Sequence, residues 1–482
     1  MAQAIYRARF EVPAEELFAW HERPGALERL LPPWSGMRVL ERQGTIRNGD
    51  RAVLQLRLGP LRVRWVALHR GYEPGRRFAD EQVEGPFASW FHEHRFLPEG
   101  PHACTLEDRI RYREPAGWLG RAVAGSWVRR ELERTFAWRA GRLRAELERH
   151  RRARAALGGR SLRVLVSGAG GLIGRELCPF LTAGGHAVRR LVHGAPPGPL
   201  PGAGGEAFGW DALAGRLDPQ AFDAIDAVVH LAGEPIAAGR WTAERKRRIR
   251  QSRVEGTRAI AEALAALARP PRVLVCASAI GWYGDRPPAE PLEEASPPGT
   301  GFLAEVCRAW EEAAEPARRA GIRVVQARLG VVLSGRGGAL GRMLPAFRLG
   351  LGGPIGSGRQ IMSWVHIDDA VGALYQALWD ERLAGPVNVT APVPVSNRAF
   401  ARTLGRVLGR PAALGLPAPV VRWTLGQLGE ELLLAGARVL PRRLEEAGFA
   451  FAHPELEGAL RAETGRLAPG GRSRQARRAR RT

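Results

Sequence analysis

The chain is expected to fold as an α/β protein, a doubly wound parallel sheet preceded by a smaller antiparallel α+β unit. Three observations predict this. The glycine-rich stretch "SGAGGLIG" at 167–174 follows the apolar run "LRVLV" and precedes a helical pattern. From 161 onward, apolar runs alternate with helical segments, as buried parallel strands with crossovers require. Before 150, apolar and polar residues alternate and then give way to helical spacing.

Residues 1–150 make the first unit. "DRAVLQLRLGPLRVRWVALHR" reads as two strands joined at Gly59-Pro60. Val128, Leu132, Phe136, Leu143 and Leu147 recur at helical spacing, so a long helix closes the sheet. The basic stretch 151–160, "RRARAALGGR", reads as a linker. Between 161 and 400, "LRVLVSG", "HAVRRLV", "DAVVHLAG", "PRVLVCASA" and "IRVVQARLGVVL" read as parallel strands. Residues 401–463 turn mainly helical, and 464–482 read as a disordered arginine-rich tail.

Composition narrows the classes of function. With 45% hydrophobic residues and no apolar run near membrane length, a globular chain without a membrane span is expected. The start lacks the pattern of a signal peptide, so the cytoplasm is expected. Cys104, Cys178, Cys276 and Cys307 lie far apart with no C-x-x-C spacing, which argues against a disulfide framework or a zinc site. The net charge of +23 is borne by arginine, since Lys246 is the only lysine. That bias, in a chain rich in Gly, Ala, Pro and Leu, reads as compositional, and nucleic acid is an expected partner only through the tail.

Gly168, Gly171 and Gly174 have the spacing of a phosphate-binding turn between strand and helix, with Leu172 and Ile173 opening the helix. The first glycine permits the turn, the second lets main chain approach a diphosphate, and the third lets helix and strand pack. A dinucleotide is therefore the expected cofactor. An acidic residue ending the second strand would bond the ribose 2′-hydroxyl of NAD and repel a 2′-phosphate. "HAVRRLVHGAPPG" holds Arg189, Arg190 and His193 there, so NADP is expected ahead of NAD.

"SGAGGLIG", "VVHLAGEPI", "SRVEGT", "SAIGWYGD", "GGPIGSGRQIMSWVHIDD" and "VNVTAP" together resemble the atypical extended short-chain dehydrogenase/reductases, the epimerase-like, cell-division-inhibitor-related branch. That resemblance covers roughly residues 162–462 and implies a Rossmann-like sheet followed by a small terminal domain of unknown function. "PPW", "GPLRVRW", "DEQVEGPFASWFHEHRF" and "LEDRIRYREP" resemble a START-like (helix-grip, polyketide-cyclase-type) ligand-binding domain.

The superfamily usually works through Tyr-x-x-x-Lys on one helix, the lysine lowering the tyrosine pKa. Phe302 and Val306 fall where that pair belongs. Ser278 and Tyr283 remain to polarise a substrate oxygen, and Glu305 lies on the altered helix. Without a cation beside it, Tyr283 would keep a pKa near about 10. By matching position, Val192 and His193 face the adenosine phosphate, and Leu231, Ala232 and Gly233 line the diphosphate. Arg253 either pairs with phosphate or joins the solvated basic face of its helix. Leu329 and Val331 flank the nicotinamide, and Ser363, Trp364 and His366 border the substrate pocket.

His92 and His94, two apart on a strand, share a face. No third ligand is evident, so no metal is expected and both read as hydrogen-bonding residues in or beside the cavity. Phe18, Trp20, Trp34, Trp65, Phe87, Trp90, Phe91 and Phe96 suit an apolar pocket for a small hydrophobic ligand. The expected function is an NADP-binding oxidoreductase fused to that ligand-binding unit; the alternative is a non-catalytic, NADP-responsive regulatory or ligand-binding protein.

Overall fold

Alternation along the first hundred residues produces seven strands: β1 (Ala2–Phe10), β2 (Arg38–Gln43), β3 (Arg51–Leu58), β4 (Leu61–Glu73), β5 (Arg77–Glu84), β6 (Ser89–Pro98) and β7 (Cys104–Arg113). The structure is a computed structural model and describes residues 1–59, 61–115, 117–194, 205–212 and 214–466. All seven strands pair antiparallel in the order β1-β7-β6-β5-β4-β3-β2. β3 and β4 form the expected hairpin, with Leu58 opposite Leu61. Helices α1 (Ala14–Glu22) and α2 (Ala26–Arg29) interrupt the sheet after β1.

The long helix α3 (Gly117–Ala156) closes the inner face. Val128, Leu132, Phe136, Leu143 and Leu147 are all buried, as their spacing requires, and Phe136 stacks on Tyr6 with centroids 4.6 Å apart. At 40 residues α3 is ~60 Å long. It runs through most of the stretch expected to be a linker and leaves only 157–160 to join the halves. The tail beyond Arg466 lies outside the described residues.

The second sheet contains β8 (Arg163–Ser167), β9 (Ala187–His193), β10 (Glu206–Asp211), β11 (Arg216–Leu217), β12 (Ala227–His230) and β13 (Val273–Ala279), then strands Arg323–Leu329 and Gly385–Val389. Its order is β11-β10-β9-β8-β12-β13 followed by those two, and every pair except β10–β11 is parallel. Val164, Val166, Val229, Val273 and Val275 pack on one face, Leu165, Val228, Leu274 and Cys276 on the other. Helices α4 (Gly174–Ala183), α5 (Ala243–Ala265) and α6 (Phe302–Glu312) flank the sheet. From β8 the chain turns to β9 on one side and later returns as β12 on the other. That reversal opens a crevice at the strand C-termini.

The part from 401 on is mainly helical, as expected, and it also contributes strand Arg438–Val439, which pairs with Pro291–Leu292. Helix Leu456–Thr464 packs on helix Asn397–Leu408 and includes Thr464, the first residue assigned to the tail.

A buried charge cluster joins the two sheets' units. Arg29 donates to Glu146 (2.8 Å), Glu176 and Asp368 (2.8 Å). Arg142 donates to Glu176 (2.6 Å) and Asp368 (2.7 Å), and Arg149 pairs with Asp369 (2.6 Å). Glu176 lies on α4 and Asp368 on helix Ile367–Trp379. Burial alone would raise both carboxyls, but Arg142 and Arg29 bring Glu176 below the usual range and Asp368 well below it. Replacing Arg29 with alanine leaves three buried carboxylates short of a cation. We expect a loss of ~3–5 kcal/mol, seen in calorimetry as a lower Tm or separate transitions for the two units. Arg47→Ala, which removes an exposed partner of Glu22, should leave the Tm nearly unchanged.

Candidate functional site

β8 ends at Ser167, which lies opposite His230 at the end of β12. The Ser167 hydroxyl meets His230 Nδ1 at 2.5 Å and ties the two strand ends. Gly168 then turns with φ +70°, and a Cβ there would lie 2.6 Å from the Leu231 carbonyl carbon. A Cβ on Gly174 would meet Gly168 O at 2.4 Å. Only glycine lets these three main-chain segments touch. Gly171 donates to Gly168 O (2.9 Å), and the amides of Leu172 and Ile173 donate to no backbone carbonyl among the described residues. They open the N-terminus of α4, the end that favours an anion. The residues present fit a diphosphate.

Around this turn, Leu231 and Ala232 are half-buried, and Gly233 is exposed. Leu172 reaches the far wall, 2.9 Å from where a Cβ of Gly338 would stand. Val331 is half-buried, pairs with Trp364 and donates its amide to Ser363 O.

At the end of β9 the structure separates the three basic residues. Arg189 pairs with Glu206 (2.9 Å) and donates to the carbonyls of Gln220 and Asp223. Arg190 is buried and donates to Gly205 O. Neither reaches the strand end. Val192 is half-buried and His193 exposed at the end of β9, where the adenosine ribose is expected. Asp211, one residue past the strand partner of His193, turns its carboxylate to Ala214 N and Arg216.

Arg253 is buried, not on the solvated face of α5. It donates to Glu234 O (3.0 Å) and Ile249 O (3.1 Å), and its guanidinium lies 5.0 Å from the centre of the Trp310 ring. A Cβ on Gly233 would lie 3.3 Å from it, so Arg253 supports the diphosphate-side loop from beneath. Burial lowers its pKa to about 10.

The structure does not bring Ser278, Tyr283 and Glu305 together around an open position. Ser278 is 2% exposed and donates to Glu311 (2.7 Å). Glu305 faces solvent; the acid that meets Ser278 lies six residues further along α6. Glu311 in turn forms a two-pronged pair with Arg328 (2.8 and 2.9 Å). Arg328 also donates to Tyr283 Oη (3.0 Å) and lies 3.9 Å from the Trp282 ring centre. Tyr283 therefore has the neighbouring cation that the sequence hid. Its hydroxyl is nevertheless buried and bonded to Asn388 Oδ1 (2.7 Å), and burial outweighs Arg328 to raise its pKa. Ser363, Trp364 and His366 are also fully buried: Ser363 donates to Ala437 O, Trp364 to Val393 O, and His366 Nε2 lies 2.9 Å from Glu463. They anchor the C-terminal segment rather than border a pocket.

One residue escaped the sequence reading of chemistry. The ammonium of Lys246 lies 5.4 Å from the ring centre of Phe302, the residue in the vacant tyrosine position, and Trp241 meets that ring edge-on at 5.0 Å. Lys246 is half-buried on α5.

In the N-terminal unit, His92 and His94 point inward, and Asp80 and Asp108 on the neighbouring strands face them. Burial would lower His92, but Asp80 and Asp108 carry it up to about 9. Of the aromatic residues expected to line a pocket, Trp65 meets Phe87 and Trp90, and Phe18 meets Phe96. No helix among the described residues is long and apolar enough to cross a membrane.

A doubly wound sheet with a glycine turn at its reversal point, preceded by a helix-grip unit, defines a Rossmann-type dinucleotide-binding protein with an added domain. More narrowly, the chain belongs to the NAD dependent epimerase/dehydratase family, whose model matches residues 164–389. Residues 10–139 match the polyketide cyclase / dehydrase and lipid transport model, and 416–463 match a domain of unknown function. An epimerase family protein of Mycobacterium bovis is 43% identical over 297 residues, 62% of this chain and 96% of that protein. A nucleoside-diphosphate sugar epimerase structure from Corynebacterium glutamicum is 31% identical with a TM-score of 0.80, covering 98% of this chain and 92% of that one. The human epimerase family protein SDR39U1, solved with NADPH, is 38% identical with a TM-score of 0.57, covering 64% of this chain and all of that one.

Burial holds His21, His186 and His230 neutral, each with a pKa lowered to about 4, and pushes His150 and His453 well below the usual value. Between pH 6.5 and 4 the unfolded chain binds protons at these rings that the folded chain does not, so stability falls as pH falls through that window. His92 and His366, both raised, contribute stability that is fully present below pH 6.5 and is lost only as pH rises above it, so they do not offset this loss. Thermal melts at pH 6.5, 5.5 and 4.5 should show a declining Tm, with a shallower decline in His21→Phe.

Proposed function

We propose that the chain is an NADP(H)-binding oxidoreductase of the epimerase type acting in the cytoplasm. In this reading residues 1–150 capture a small hydrophobic ligand, 161–400 hold the cofactor and 401–463 brace the substrate side. The observation that carries it is the main-chain cradle of Gly168 and Gly174 against Leu231 and Ala232. The human relative solved with NADPH supports the choice of dinucleotide, as does the engagement of Asp211, beside the end of β9, by Ala214 N and Arg216.

The diphosphate would rest on Gly168, Gly171, Leu172, Ile173 and Gly174, opposite Leu231, Ala232 and Gly233. Arg253 would fix that second loop from beneath, Val192 and His193 would flank the ribose phosphate, and Val331 would back the nicotinamide. Bound NADP supplies hydride exchange. The protein's task is then to move a proton to or from the substrate oxygen. Lys246 is the cation beside Phe302, where the family pair is missing, and we assign it that role.

A second reading, a non-catalytic NADP-responsive protein, draws on one observation: the hydroxyls of both Ser278 and Tyr283 are engaged by protein partners.

Calorimetry on the full chain should show NADPH binding at least tenfold tighter than NADH; uptake of neither would end the proposal. A Cβ on Gly171 meets only Gly168 O, at 3.2 Å. Gly171→Ala should therefore melt within a few degrees of the parent yet lose at least tenfold in NADPH affinity. In stopped-flow oxidation of NADPH with hydrophobic carbonyl compounds, Lys246→Met should cut turnover at least a hundredfold while leaving NADPH affinity unchanged. No turnover by the parent chain with any member of the panel decides for the second reading.

A further inference from the structure

Four chemistry-bearing side chains project from one face of three adjacent strands in the N-terminal unit. Asp80 on β5 is the direct cross-strand partner of His92 on β6, and His94 on β6 is the direct partner of Asp108 on β7. Alternation along β6 sends both histidines inward. The imidazole rings lie 3.9 Å apart, between the two carboxylates.

The separations fall into two sets. Asp80 Oδ1 stands 3.4 Å from His92 Nδ1 and 3.4 Å from His94 Nε2. That is long for a charged hydrogen bond. It matches the ligand–ligand edge of ~3.4 Å in a tetrahedral site with bonds of ~2.1 Å. Asp108 Oδ1 instead lies 2.9 Å from His92 Nε2 and 2.8 Å from His94 Nδ1, on the other nitrogen of each ring. An outer carboxylate that fixes a ligand imidazole from behind stands in this relation. The arrangement is incomplete as it stands. His94 is 7% exposed, and its Nδ1 has no hydrogen-bond partner of acceptable geometry despite the nearby Asp108.

We propose that Asp80, His92 and His94 bind a divalent first-row transition ion, with Asp108 orienting the His92 imidazole from behind and standing beside His94 Nδ1. The ligand atoms already lie within 4.8 Å of one another. Two neutral imidazoles and two carboxylates balance the ion's two charges, and the spacing of the two histidines, two apart on one strand, fixes the bite rigidly. Phe78 stacks on His94 (4.2 Å between centroids) and Phe136 meets His92 edge-on (5.5 Å), which walls the site with apolar surface. Three protein ligands leave a fourth position for an oxygen of whatever the helix-grip unit binds. A two-histidine, one-carboxylate set suits Zn²⁺ and Fe²⁺ alike, and the experiment separates them.

The test uses the full chain, stripped with a chelator and then equilibrated separately with Zn²⁺, Co²⁺ and Fe²⁺, with bound metal counted by mass spectrometry. One ion per chain is expected for at least one of these metals. Asp80→Asn, which keeps size and shape, should weaken uptake at least tenfold, and His92→Gln with His94→Gln should abolish it. Asp108→Asn should weaken uptake ten- to a hundredfold. Melting curves in chelator identify any variant that fails to fold, and Asp80→Asn, whose side chain is 20% exposed, keeps the test decisive. Two results would overturn the proposal: no metal bound by the parent chain, or uptake that Asp80→Asn leaves intact while His453→Gln, in the separate cluster His366–Asp368–His453, removes it.

Discussion

Two guanidiniums and three carboxylates, all withdrawn from water, hold the two units in a single register. Arg29, Arg142 and Glu146 come from the N-terminal unit; Glu176 and Asp368 come from the other. Desolvating a lone charge costs several kcal/mol, so neither unit can keep its share of the cluster alone. Asp368 Oδ1 accepts from both arginines, and so does Glu176 Oε2. A slip of α3 by one turn, ~5.4 Å, would leave each acceptor facing aliphatic surface. Ion pairs of this kind add little net stability over a well-packed apolar seam. What this cluster confers is register.

That register governs the cofactor turn. α4 begins at Gly174, and Glu176 lies within its first turn, so the helix whose N-terminus faces the crevice is gripped from behind by Arg29 and Arg142. On the opposite wall, Asp369 accepts from Arg149 and from the amides of Ala452 and His453, while His366 meets Glu463. The chain's three parts therefore meet around the first turn of helix Ile367–Trp379. Ala183 of α4 packs in the same core as Phe10, Trp20 and Leu147, which extends the grip with apolar contact. Main-chain donors held this rigidly need little reorganisation to receive an anion.

Much of this was legible in the sequence. The glycine spacing, the order of apolar runs and the 3.6-residue period of α3 are local signals, and each marks an element that the structure contains. Local signals stop at element boundaries. Arginine-rich "RRARAALGGR" suggested a linker, yet Arg149 and the turns around it are helical because Asp369 and Gly372 dock against them. Partners far apart in the chain were invisible. Glu311 reaches Ser278 across 33 residues, Arg328 reaches Tyr283 across 45, and Asp80 reaches His92 only through strand register. Arg189 and Arg190 misled for the same reason, since nothing local shows that Glu206 and Gly205 claim them.

The two halves of the proposed redox reaction would draw on different materials, and that explains why one looks ordinary and the other does not. The hydride half depends on a diphosphate lying against main chain, so it requires only small residues and a helix N-terminus, and both are present. The proton half depends on side chains at fixed distances. At that end Arg328, Glu311, Tyr283 and Asn388 form a closed network under Trp282, with every strong donor already matched to an acceptor. A group so matched cannot trade a proton without breaking a buried bond, at a cost of about 1–3 kcal/mol or more for a charged partner. Lys246 is not so constrained, since it lies half-buried against the face of Phe302, and a lysine ammonium retains three donors to offer. In the proposed function the proton would therefore come from Lys246 on α5 rather than from this closed network.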